Sequence, residues 1–158
     1  MASLFRLAIA TVASLVCISL QAASVEPTLK LKIAVKMADA CLELAYQNDW
    51  QVAVAVIDDG GNLKYFSRMD GASLLSADLS RDKALTSAKI ALTTQKLNEM
   101  SVAEPTIRHI PGVVLAPGGF PIILDGRHVG GIGVSGASVQ QDIGCAEAAL
   151  SVVSLEKQ

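Results

Sequence analysis

Aromatic residues are scarce in this chain: one Trp, two Tyr and three Phe, scattered along its length. The basic residues form no cluster. A stacking platform and a phosphate-tracking surface are both missing, which disfavours nucleic-acid binding. Only two histidines occur, His109 and His128, without the helix spacing of a zinc site. No D-x-D-x-D-G calcium loop is present, so no metal site is expected beyond what a single histidine could ligate. Beyond the first twenty residues no long apolar run appears, and an integral membrane protein is not expected.

What is present begins at the N-terminus. Arg6 precedes the run LAIATVASLVCISL, and QAAS follows. A positive start, a short apolar stretch and a small-residue exit describe a secretory signal peptide. Residues 1–23 are expected to be that peptide, cleaved near 22–24. Residues 24–158 are then a single domain, periplasmic or secreted. Loss of Arg6 leaves a mature charge of about −3. Two cysteines remain, Cys41 and Cys145. Export permits a disulfide between them. Two buried free thiols are the other reading, because cysteine packs as a small hydrophobe.

Hydrophobic periodicity outlines the domain. From Pro27 to about Asn48 apolar residues recur at three- and four-residue steps, which predicts a helix. WQVAVAVIDD and LKYFSRMD flank a DGGN turn and form a hairpin. GASLLSADLSRDKALTSAKIAL predicts a helix capped by Ser73 or Ser76. Thr93 to Pro111 holds a short helix and a loop. VVLA, FPIIL and HVGGIGVSG, separated by turn residues, give three more strands. Ser138 with Gln141 three residues on is a capping-box pattern opening the last helix. The expected architecture is an α+β layered domain with a five-stranded antiparallel sheet and helices on both faces.

VGGIGVSGAS contains G-x-G-x-x-G, the spacing of a dinucleotide turn. That fingerprint needs a βαβ unit, and too little chain follows Gly136 to supply one. No nucleotide is expected. Gly130, Gly131 and Gly133 instead let a helix or a neighbouring subunit approach the last strand.

Polar residues gather at element ends. Arg68 and Asp70 flank the end of the second strand. Lys83 and Thr86 share a helix face. Ser135, Gln141 and Asp142 lie at the last strand-to-helix junction, where free amides can hold an anion. Brought together, they form a pocket for a carboxylate, with Asp70 or Asp142 as acid or base. The alternative is structural ion pairing, Arg68 with Asp70 or Lys83 with Asp142.

The stretches VAVIDDGGNLKYFSRMDGASLLSADLSRDKALTSA and PGGFPIILDGRHVGGIGVSGASVQQDIGCAEAAL resemble the two signatures of the GlcG/HbpS-like haem-binding family. That family includes the C-terminal domain of PduO-type cobalamin adenosyltransferases. The resemblance spans essentially the whole mature chain. It implies a profilin-like layered fold and homo-oligomers from dimer to octamer. It also implies haem binding, with haem degradation or a sensor-accessory role in some members. Arg68, Asp70, Lys83, Thr86, Ser135 and Asp142 match the family pattern. The first helix carries no histidine, where the PduO-type domain supplies a ligand. His109 and His128 are the axial candidates, each also readable as a partly exposed loop histidine, and a Lys, Met, Thr or carboxylate ligand is the alternative.

Three functions follow as expectations. One is an exported oligomeric binder of haem or another tetrapyrrole. A second is an enzyme or accessory subunit acting on a small organic acid, its carboxylate held by Arg68 and Lys83. A third is a protein-binding accessory of a membrane sensor. A binding or accessory role is favoured over catalysis.

Overall fold

The computed structural model describes residues 28–155, with side chains to residue 153. The expected signal peptide lies outside the described residues. The order is α1 (Leu31–Gln47), β1 (Ala53–Asp58), β2 (Leu63–Arg68), α2 (Leu74–Ile90), α3 (Thr94–Ala103), a 3-10 turn (Pro105–His109), β3 (Gly119–Leu124), β4 (Arg127–Ser135) and α4 (Val139–Leu155).

Local chemistry accounts for the helix ends. Asp49 adopts φ 56°, and the Trp50 amide donates to Ala45 O at 2.9 Å, which closes α1. Ser73 caps α2 by accepting from the Ser76 amide at 3.1 Å. Ser138 and Gln141 form the expected capping box. The Ser138 amide donates to Gln141 Oε1 at 3.0 Å and the Gln141 amide to Ser138 Oγ at 3.4 Å.

The sheet has four strands, all antiparallel, in the order β2-β1-β4-β3. The expected fifth strand, VVLA at residues 113–116, is not one. Its Val114 amide donates to the Thr86 hydroxyl at 3.0 Å, so a helix side chain takes the donor a ladder would have used. Pro117 follows and has no N–H to extend a ladder.

The two faces are packed differently. On one, α1 and α4 bury Met37, Ala38, Cys41, Ala146 and Ala149 against Val54, Val56, Ile132 and Val134. Cys41 and Cys145 are joined by a disulfide there, linking α1 to α4. On the other face α2 sets Ala84 and Ala88 against Ala55 and Ile57. That approach is backbone to backbone. A Cβ at Gly133 would lie 2.1 Å from Ser80 O, and one at Gly131 2.3 Å from Ala84 O. Gly131 and Gly133 are thus a seat for α2, as their absent side chains predicted, whereas a Cβ at Gly130 would lie 2.1 Å from Ile57 O of β1.

Both sheet edges are blunted. The β1–β2 register steps from Val56↔Tyr65 to Ile57↔Leu63, leaving Lys64 as an extra, bulged residue on the outer strand. The β3 edge contains Pro121. Lysine, bulges and proline are the usual means of discouraging edge pairing.

Candidate functional site

The polar residues at the strand ends separate into three groups. The inner one is an ion pair. Lys83 projects from α2 and is only 2 % exposed. Its Nζ donates to Asp142 Oδ2 at 2.9 Å and to Val134 O at 2.7 Å. Asp142 lies in the first turn of α4 and is 4 % exposed. Its Oδ1 accepts from the Ala137 amide at 3.1 Å. The helices carrying the pair pack on opposite faces, so the bridge joins both helical layers past the start of β3.

The passage is made by glycine. A Cβ at Gly118 would fall 3.1 Å from Lys83 Nζ and 2.7 Å from Val134 O, and its φ is +112°. The Val134 amide donates to Gly118 O at 3.0 Å, while Val134 O is taken by the lysine. Lys83 thus occupies an acceptor beside the point where the β3–β4 pairing begins.

Burial dominates the electrostatics of the pair. It pushes the Lys83 ammonium below its ordinary range, against the opposing hydrogen bond and charge of Asp142. It pushes the Asp142 carboxyl up, opposed by Lys83 and by the main chain at Ala137 and Gly136. Both shifts disfavour the charged forms, as desolvation does. Among the described residues, the charged side chain that acts on each member is the other member of the pair.

The second group pins the segment that leads into β3. Thr86 is fully buried and accepts from the Val114 amide. Thr94, also fully buried, accepts from the Gly119 amide at 3.0 Å. Thr94 escaped the sequence reading. The signal was the Thr93–Thr94 pair: Thr93 caps α3 through the Lys96 amide at 3.0 Å, leaving Thr94 to turn inward. Ser135 is buried at the end of β4, paired in register with Ala53.

The third group lies on the rim. Arg68 is exposed, and its Nη1 donates to Ala72 O at 3.1 Å. Asp70 is exposed, and no Arg68–Asp70 ion pair forms among the described residues. Gln141 is engaged in the capping box. The structure therefore joins Lys83 to Asp142 and leaves Arg68 and Asp70 outside that contact.

The histidines differ sharply. His109 ends the 3-10 turn and is exposed, beside exposed Arg108 and Ile110. His128 sits in β4 in register with Ile123, and its Nε2 is buried without a hydrogen-bond partner. No cluster of three or more His, Cys, Asp or Glu suited to a metal ion occurs among the described residues.

An antiparallel sheet clasped by helices on both faces, with a glycine-seated α2 and a buried cross-layer ion pair, defines the class as an α+β layered domain. Residues 29–151 match the family described as haem degrading protein HbpS-like, and the chain belongs to that family. It is 35 % identical to protein GlcG of Escherichia coli K12 over 111 residues, 67 % of this chain and 83 % of that protein. The crystal structure of HbpS superposes with a TM-score of 0.77 at 35 % identity, covering 82 % of this chain and 93 % of that one. The crystal structure of a PduOC–haem complex gives 0.74 at 28 % identity, covering 80 % and 96 %. The relation to the GlcG/HbpS-like family therefore stands.

Proposed function

We propose that this chain is an exported, oligomeric binder of haem or another tetrapyrrole. The observation that carries the reading is its likeness to the PduOC–haem complex along 96 % of that chain. The family description, haem degrading protein, points the same way. Export is supported by the N-terminal pattern of Arg6 and its apolar run. The Cys41–Cys145 disulfide supports it too, because such bonds persist in oxidising compartments. No helix among the described residues is long and apolar enough to cross a membrane.

Two histidines of the chain could serve as the protein ligand to an iron-bearing ring. A single imidazole suffices as a protein ligand to haem iron. His109 is the accessible donor, with Arg108 alongside to pair a propionate. His128 offers a buried nitrogen with no competing hydrogen bond. When bound, haem would supply a redox-active iron, and the chain would supply the axial nitrogen and the charge for the propionates.

Titration with haem, followed in the Soret band, tests this reading. Saturable binding at micromolar haem is expected, with the band altered in His109→Ala and the parent spectrum largely kept in His128→Ala. Absence of a saturable shift overturns haem binding. A double variant indistinguishable from the parent overturns histidine ligation.

A further inference from the structure

The β4–α4 junction was expected to offer free main-chain amides to an anion. Of those amides, Ala137, Ser138 and Gln141 are already engaged. The Ala137 amide points at Asp142 Oδ1, and Lys83 Nζ closes on Oδ2. The groups that would recognise a foreign carboxylate thus converge on a carboxylate belonging to the chain itself. We infer that this junction is a carboxylate-binding cradle filled from within. Asp142 is its resident occupant, and a one- or two-carbon monocarboxylate is the ligand class it accepts when Asp142 is shortened.

Three independent features build the cradle. Its cation has a second tether: Lys83 Nζ donates to Val134 O at 2.7 Å as well as to Asp142. Its turn is fixed: Gly136 has φ +135° and lies so close to Gln51 and Val52 that a Cβ would come 2.3 Å from Gln51 O. Main chain at Gly118 and Val134 borders the cradle, and among the described residues Asp142 is the acidic side chain that acts on Lys83. A carboxylate placed there meets a positive charge and a directed amide in a dry site, where charge-assisted hydrogen bonds are strong. Replacing Asp142 by Ala removes two oxygens and one carbon, a gap of the size of formate. The same geometry explains why the unaltered chain should not take up free carboxylates at this point. Both partner groups are already engaged.

The test is chemical rescue. Asp142→Ala should lose thermal stability, and sodium formate should restore part of it in a saturable manner, as mass action requires for a ligand of the folded state. Acetate should act more weakly because of its extra methyl group, and sodium chloride at equal ionic strength should have the least effect. The parent protein should show no formate-specific shift. In Lys83→Met/Asp142→Ala, which lacks the cation, formate should do no more than chloride. If Asp142→Ala fails to fold alone, its refolding yield with formate against chloride is the readout. Recovery specific to formate supports the cradle. No recovery, or equal recovery by chloride or in the double variant, overturns it.

Discussion

Lys83 and Asp142 show how a buried ion pair can be necessary without being a net source of stability. Each charge gives up water, and both groups are displaced toward their neutral forms by burial. Removing one partner strands the other, so Lys83→Ala and Asp142→Ala are each expected to cost about 3–5 kcal/mol. Lys83→Met/Asp142→Leu removes both charges and should return close to the parent, measured by urea unfolding. The pH dependence has a definite sign. The folded chain holds the Asp142 proton more readily than the unfolded chain, whose carboxyl titrates near 3.8. The contribution of Asp142 therefore improves as pH falls through its raised value toward 3.8. Lys83 mirrors this, improving as pH rises from its lowered value toward 10.5. The stability of the parent relative to the double variant should be lowest between those two windows. A difference independent of pH would contradict this account. The pairing was visible in the sequence as one of two ion-pair options. The inward turn of Asp142 onto the Ala137 amide was not, because it depends on the chain folding back at Gly136.

Among the elements, α2 and β4 show the closest dependence of packing on residue size. Gly133 and Gly131 admit the α2 backbone itself rather than its side chains. Gly133→Ala forces a methyl group into Ser80 O and should cost about 3 kcal/mol or more, seen as a lowered urea midpoint. Gly144 is the contrast, since a Cβ there meets nothing within 4 Å. It lies inside α4, so Gly144→Ala should add roughly 0.5–1 kcal/mol. Most elements were legible in the sequence because their signals are local: apolar spacing in α1, serine caps on α2 and α4, and turn residues between strands. The segment at 113–116 was misread for a reason equally physical. Val-Val-Leu-Ala has the composition of a strand, but composition does not say where an amide will find its acceptor. Here that acceptor is a threonine hydroxyl on α2, far away in sequence.

At the scale of the whole molecule, the disulfide and the ion pair tie the same helix in different directions. Cys145 fastens α4 to α1 within one layer, and Asp142, one turn earlier, fastens it to α2 across the sheet. The disulfide closes a sequence separation of 104 residues. In the chain-entropy view, its loss should lower stability by about 4–5 kcal/mol, measured on Cys41→Ala/Cys145→Ala by urea unfolding. Residues 24–158, unfolded without reductant, should show no reactive thiol. Two reactive thiols would exclude the bridge. The edges of the sheet carry a consequence for growth. A bulged lysine on β2 and a proline on β3 leave no clean row of main-chain groups for another strand to copy. Any association between copies of this chain should therefore avoid the sheet edges. Even at high concentration the solution should show no cross-β order, because a sheet stopped at both ends offers a fibril no place to start.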